Sequence, residues 1–181
     1  MGKIIFITGG VRSGKSSYAV ELAKKMKKEV IFLATGGAKD EEMKERIKSH
    51  IKKRPSSWKT IEEEKNIIPI FSQIKSPHKV IIIDCLTLLI SNLLLEHYSE
   101  KFIINYIEEI IKIILKSPHT VIIVSNEVGW GVVPESALGR KFRDILGKSN
   151  QIMTKYAQRV YLMISGIAIK LKGEQKDAEI K

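Results

Sequence analysis

Ile4-Ile-Phe-Ile-Thr-Gly-Gly-Val-Arg-Ser-Gly-Lys-Ser16 is an apolar run that opens into Gly9, passes four residues, and closes on Gly14-Lys15-Ser16. This spacing fits the phosphate-binding loop G-x-x-x-x-G-K-[ST]. Such a loop curls its backbone N–H groups around phosphate oxygens, and side chains at Gly9 and Gly14 are expected to obstruct that approach. Lys15 supplies a compact ammonium for the β- and γ-phosphates and Ser16 a hydroxyl for Mg²⁺. A helix read over residues 16–27 adds its positive N-terminal end. The loop follows an Ile-rich strand and precedes that helix, the context a nucleoside triphosphate site requires and a plain glycine turn does not.

Further apolar, β-branched runs stand at Lys3–Ile7, Val30–Ala34, Lys79–Ile83, Thr120–Val124 and Arg159–Ile164, separated mostly by helical patterns. Runs apolar at every position belong to strands buried on both faces, so the alternation predicts an α/β fold with a mostly parallel sheet flanked by helices. Ser165-Gly166 sits between Val160–Ile164 and Ile167–Leu171 and predicts an antiparallel hairpin at the C-terminal edge. Ile103, Ile107, Ile110, Ile111 and Ile114 recur at helical spacing between Glu100 and Lys116, a stripe that reads as core packing. Asp40 to Arg54 has a capping residue, early glutamates, late basic residues and a stop at Pro55, so a short helix is expected there. His50 falls near the margin of its apolar face, Met43-Ile47-Ile51, within reach of a ligand. Residues 1–173 read as one domain and 174–181 as a polar tail.

The 181 residues suffice for one sizeable core at 44% hydrophobic content. The 31 Lys+Arg against 20 Asp+Glu give a net charge of +11. The lysines are scattered and no basic–aromatic platform occurs, so the charge suits polyanionic nucleotides better than nucleic acid. Cys85 is the only cysteine, which excludes an intramolecular disulfide, and it reads as a small buried residue. No membrane span is expected, because the most apolar stretch, Val80–Leu95, is broken by Asp84, Ser91 and Asn92. The first strand begins without a leader, and a cytoplasmic location is expected.

Two further segments bear on chemistry. Val80-Ile-Ile-Ile-Asp84 is an apolar strand ending in a carboxylate, suited to Mg²⁺ or, as the plainer alternative, to capping the helix after it. Ser125 to Pro134 (Ser-Asn-Glu-Val-Gly-Trp-Gly-Val-Val-Pro) follows the fourth strand, where ligand loops of an open α/β sheet lie. Asn126, Glu127, Gly129 and Trp130 are the site residues read there; the plainer alternative is a turn into a helix with Pro134 at its first position. His78, His97 and His119 are read as surface residues.

Together these pieces resemble the bifunctional adenosylcobinamide kinase/adenosylcobinamide-phosphate guanylyltransferase family of cobalamin biosynthesis. The match is carried by Thr8–Ser16, Ala34-Thr35, Asp40-Glu-Glu-Met43, Arg46-Ile47, His50, Arg54-Pro55, Trp58, Asn126–Gly129 with Gly131 and Val133-Pro134, Phe142-Arg143-Asp144, Asn150-Gln151 and Ser165-Gly166. The resemblance implies a RecA-like P-loop NTPase fold. It implies phosphorylation of adenosylcobinamide with ATP or GTP, then GMP transfer from GTP through a covalent guanylyl-histidine at the position of His50. His50 and Lys15 are the implied catalytic residues. Gly9, Gly10, Val11, Arg12, Ser13, Gly14, Lys15, Ser16, Thr35, Arg54, Glu62 and Asp84 form the implied nucleotide site, with Ser16 and Asp84 on Mg²⁺. Asp84 stands where a glutamate would serve equally. A homotrimer is also implied. Two rivals remain at this stage: a small-metabolite P-loop kinase without guanylyl transfer, and a nucleotide-switched nucleic-acid-binding module.

Overall fold

The computed structural model describes residues 1–37, 41, 45 and 54–173. Seven strands form one sheet: β1 Lys3–Gly9, β2 Val30–Ala34, β3 Lys59–Glu62, β4 Val80–Asp84, β5 Thr120–Val124, β6 Arg159–Ile164 and β7 Ile167–Lys172. Their spatial order is β3-β2-β4-β5-β1-β6-β7. All neighbours are parallel except β6 and β7. Parallel pairing brings the carboxyl ends of β1, β4 and β5 to one edge, where connecting loops converge.

The apolar runs of β1, β4 and β5 are continuous because these strands are covered on both faces. Ile4 and Phe6 of β1, Ile81 and Ile83 of β4, and Val121 and Ile123 of β5 join one core. Ile5, Ile7, Ile82, Ile122 and Val124, the alternate residues, join the other. Helix α1, Lys15–Lys25, packs Ala19, Val20 and Ala23 into the second core. Helices α2 (Ile68–Gln73), α3 (Leu86–Leu95), α4 (Glu100–Lys116) and α5 (Ala137–Tyr156) supply the first.

The isoleucine stripe of α4 is buried at all five expected positions. Its start is fixed by Ser99, whose hydroxyl accepts the Phe102 N–H at 3.2 Å. The C-terminal hairpin forms with Ser165 at φ 50° and Gly166 at φ 86°, both positive as a type I′ turn requires.

The sequence reading is corrected in several places. Strand β1 continues past Ile7 to Gly9, β4 runs Val80–Asp84, and α1 covers Lys15–Lys25. Pro134 does not open a helix: α5 starts at Ala137, capped by Ser136 Oγ on the Gly139 N–H at 3.0 Å. His119 is not a surface residue; it is buried just before β5, and among the described residues its Nδ1 has no hydrogen-bond partner. Of the helix expected over 40–54 only Glu41, Glu45 and Arg54 are described, and Arg54 lies in a bend. His50 and Arg46 lie outside the described residues, as does the tail 174–181. No helix among the described residues is long and apolar enough to cross a membrane.

Candidate active site at the carboxyl edge of the sheet

The loop between β1 and α1 turns through three left-handed positions, Gly9 at φ 147°, Arg12 at 55° and Gly14 at 94°. Ser13 N–H closes the turn on the Gly10 carbonyl at 3.4 Å, and Gly166 N–H ties Ser13's carbonyl to the β6–β7 turn at 3.0 Å. A Cβ on Gly9 would stand 2.3 Å from the Met163 carbonyl oxygen. A Cβ at Gly9 is therefore blocked by strand β6. Gly10, in contrast, faces open space. Helix α1 begins with no side-chain cap and no acidic residue in its first turn, so its N–H groups suit an anion. Lys15 is buried; its ammonium donates to the Gly10 carbonyl and to Ser13 Oγ, the latter at 3.4 Å.

Asp84 is the last residue of β4, and the N-cap position of α3 is held by Cys85, which makes no side-chain capping bond. Cys85 is buried, as expected from the sequence, and its thiol is pushed up to about 12 by burial first and by Asp84 second, with Lys15 opposing. Thr35 is wholly buried. Its Oγ1 accepts the Cys85 N–H and donates to the Cys85 carbonyl, each at 2.7 Å. This places Thr35 as a brace for the Asp84–Cys85 backbone.

Arg54 is half-buried, with Cζ 3.3 Å from the centroid of the Phe32 ring. Burial lowers its pKa, while Asp84 and Glu62 act in the opposite direction, which brings all three residues into one electrostatic neighbourhood. Glu62 ends the edge strand β3 and is exposed. Among the described residues the buried Arg54 Nη1 has no hydrogen-bond partner, and an unpaired guanidinium donor suits an oxyanion.

The segment after β5 is joined to the loop. Glu127 N–H donates to the Gly9 carbonyl at 3.1 Å, and Thr8 Oγ1 donates to Glu127 Oε1 at 2.6 Å. Asn150 of α5 donates to Glu127 Oε1 at 3.1 Å and to the Asn126 carbonyl at 3.0 Å. Its Oδ1 accepts the Ser125 hydroxyl at 2.7 Å. Thr87 Oγ1 accepts the Asn126 N–H at 2.8 Å. Trp130 lies in a short 3₁₀ turn, Val128–Trp130, and is exposed together with Gly129, Val132 and Val133.

The structure thus gathers Gly9–Ser16, Arg54, Asp84, Asn126 and Glu127 at one edge of the sheet. Sequence reasoning assigned no site role to Thr8, Thr87, Ser125 or Asn150. Thr8 and Asn150 stand among the residues that carry the resemblance and Ser125 opens the segment after the fourth strand, but nothing local in the sequence shows that they meet; Thr87 is a polar residue in a largely apolar helix, too common a signal to single out. For Mg²⁺, the hydroxyl of Ser16 and carboxylate of Asp84 are hard oxygen donors at the same sheet edge. Among the described residues no group of three or more His, Cys, Asp or Glu is placed to hold a metal ion. One hydroxyl and one carboxylate suit Mg²⁺, which takes one or two protein ligands and completes its shell with substrate phosphates and water.

Among solved structures, a Pyrococcus horikoshii OT3 protein aligns with TM-score 0.60 at 10% identity, covering 97% of this chain and 89% of that one. An ATPase from the type III secretion system of pathogenic bacteria aligns with TM-score 0.51 at 14% identity, covering 90% and 52%. These likenesses concern the fold alone. The bifunctional adenosylcobalamin biosynthesis protein CobU of Escherichia coli (strain K12) is 36% identical, covering 93% of this chain and 99% of the relative. Its Salmonella typhimurium counterpart is 35% identical over the same shares. The Pseudomonas aeruginosa protein CobP is 36% identical, covering 93% and 96%. The family model described as cobinamide kinase / cobinamide phosphate guanyltransferase matches residues 5–171. The chain belongs to the cobinamide kinase / cobinamide phosphate guanyltransferase family and is a transferase.

Proposed function

We propose that this protein phosphorylates adenosylcobinamide with ATP or GTP and then transfers GMP from GTP to the resulting phosphate, releasing pyrophosphate. The observation that carries the reading is the convergence of the Gly9–Ser16 loop, Lys15 and the orphaned Arg54 Nη1 donor at the sheet edge where Asp84 ends β4. The family membership supports both reactions.

In the first reaction the acceptor hydroxyl oxygen attacks the γ-phosphorus and the bridging oxygen leaves with the nucleoside diphosphate. Loop N–H groups and Lys15 hold the β- and γ-oxygens, so catalysis is mostly positioning and charge stabilisation. Lys15 exchanges its bond to the Gly10 carbonyl for phosphate oxygens. Ser16 and Asp84 would hold Mg²⁺, which would supply neutralisation of charge on those oxygens.

In the second reaction a neutral ring nitrogen of His50 attacks the α-phosphorus of GTP and pyrophosphate leaves. An imidazole with its ordinary pKa of about 6.5 is largely unprotonated at pH 7 and can form this N–P bond. An oxygen of the cobinamide phosphate then displaces the histidine, giving adenosylcobinamide-GDP. Arg54 steadies the phosphate charge. A homotrimeric assembly and a cytoplasmic location belong to the same reading.

Incubation with adenosylcobinamide, Mg²⁺, ATP and GTP, with chromatographic and mass analysis of the corrinoids, tests the proposal. Successive appearance of the phosphate and the GDP derivative is expected. Arrest at the phosphate would leave a simple kinase, and no corrinoid product would overturn the reading.

A further inference from the structure

The Glu127 carboxylate is held by one oxygen only. Thr8 Oγ1 and Asn150 Nδ2 both donate to Oε1, at 2.6 and 3.1 Å, while Oε2 takes no hydrogen bond among the described residues. Glu127 is half-buried. Its anchor is itself fixed: Asn150 can present its amide to Glu127 only because its Oδ1 accepts from Ser125, and Ser125 Oγ lies 3.4 Å from Thr87 Oγ1. Thr8, Thr87, Ser125 and Asn150 are all buried. A buried chain in which every donor meets an acceptor holds its terminal carboxylate in one orientation without reorganisation.

The position follows from two neighbouring carbonyls. Gly10's accepts the Lys15 ammonium, which marks the β/γ end of a phosphate track, and Gly9's accepts the Glu127 N–H. Glu127 is thereby held against the Thr8–Gly9 entry of the phosphate loop, one residue from the carbonyl that holds Lys15. Building on the proposed function above, we infer that Glu127 is the general base of the phosphorylation step and Asn150 its positioning residue. As the acceptor oxygen bonds to the γ-phosphorus and the β–γ bridging bond breaks, the hydroxyl proton passes to Glu127 Oε2. The second reaction differs chemically. Its acceptor is already a phosphate oxygen with no proton that must be removed, so it does not need this base.

Glu127→Gln keeps the shape and the acceptor for Thr8 and Asn150 but cannot take the proton. Purified variant and wild type are compared in two assays: adenosylcobinamide with ATP, and synthetic adenosylcobinamide phosphate with GTP. The variant is expected to lose about 100-fold or more in kcat for phosphorylation, with a far smaller change in GMP transfer, which also reports a folded protein. Asn150→Ala is expected to lower kcat for phosphorylation while KM for ATP stays unchanged. Equal loss of both reactions in Glu127→Gln, or phosphorylation at the wild-type rate, overturns the inference while leaving the proposed function intact. Wild-type protein inactive in the first assay overturns the proposed function, and this inference with it.

Discussion

The carbonyl oxygen of Met163 in β6 lies 2.3 Å from the point where a Cβ on Gly9 would stand. The first glycine of the phosphate loop is therefore demanded by a neighbouring strand as well as by its φ of 147°. Gly9→Ala should cost about 2 kcal/mol or more, through backbone strain and displacement of β6. Thermal unfolding should show Tm lowered by about 5 °C or more. Gly10→Ala meets no atom within 4 Å and should leave Tm within about 2 °C of wild type. Its effect should fall on nucleotide affinity, measured by calorimetry.

Arg54 rests on Phe32 with an unused donor, so its planar fork matters as much as its charge. Arg54→Lys should raise the Kd for GTP about tenfold or more, the loss of a charge-assisted hydrogen bond. An unchanged Kd would remove Arg54 from the nucleotide site.

His119 links folding to pH. Burial, then Lys79 and His78, lower its pKa below the ordinary value of 6.5. The unfolded chain thus binds this proton more readily than the native one, so the stability is present above pH 6.5 and is lost as pH falls below it. Urea midpoints between pH 7.5 and 5 should decline, and His119→Gln should flatten that decline. A variant with the wild-type slope would assign the effect to other groups.

Ile110 of α4 is 1% exposed and faces the sheet. Ile110→Ala should destabilise by about 2–5 kcal/mol in urea unfolding, with kcat unchanged wherever the protein remains folded.

Legibility in the sequence tracked how much of each element's burial is local. Strands β2, β5 and β6 coincide with their readings because most of their residues are buried, which leaves a largely apolar run. Strand β3 was missed because it is an edge strand with only Ile61 partly buried, so no pattern marks it. Pro134 misled because it does precede a helix; the capping hydroxyl of Ser136 decided the start. His119 was misread because its neighbour Pro118 signals a turn, while its burial depends on packing from distant chain. The phosphate loop was legible from spacing alone. The Thr8–Glu127–Asn150 connection was not, since residues 119 and 23 positions apart meet only through the fold.

The central claim is that one small chain both handles a γ-phosphoryl group and carries GMP covalently. The most direct measurement is intact-protein mass spectrometry after incubation with Mg²⁺ and GTP, kept at neutral to alkaline pH so that a phosphoramidate survives. Wild type should gain the mass of one GMP and His50→Ala should not. Confirmed GTP binding without any mass gain in wild type, or the same gain in His50→Ala, would contradict the account.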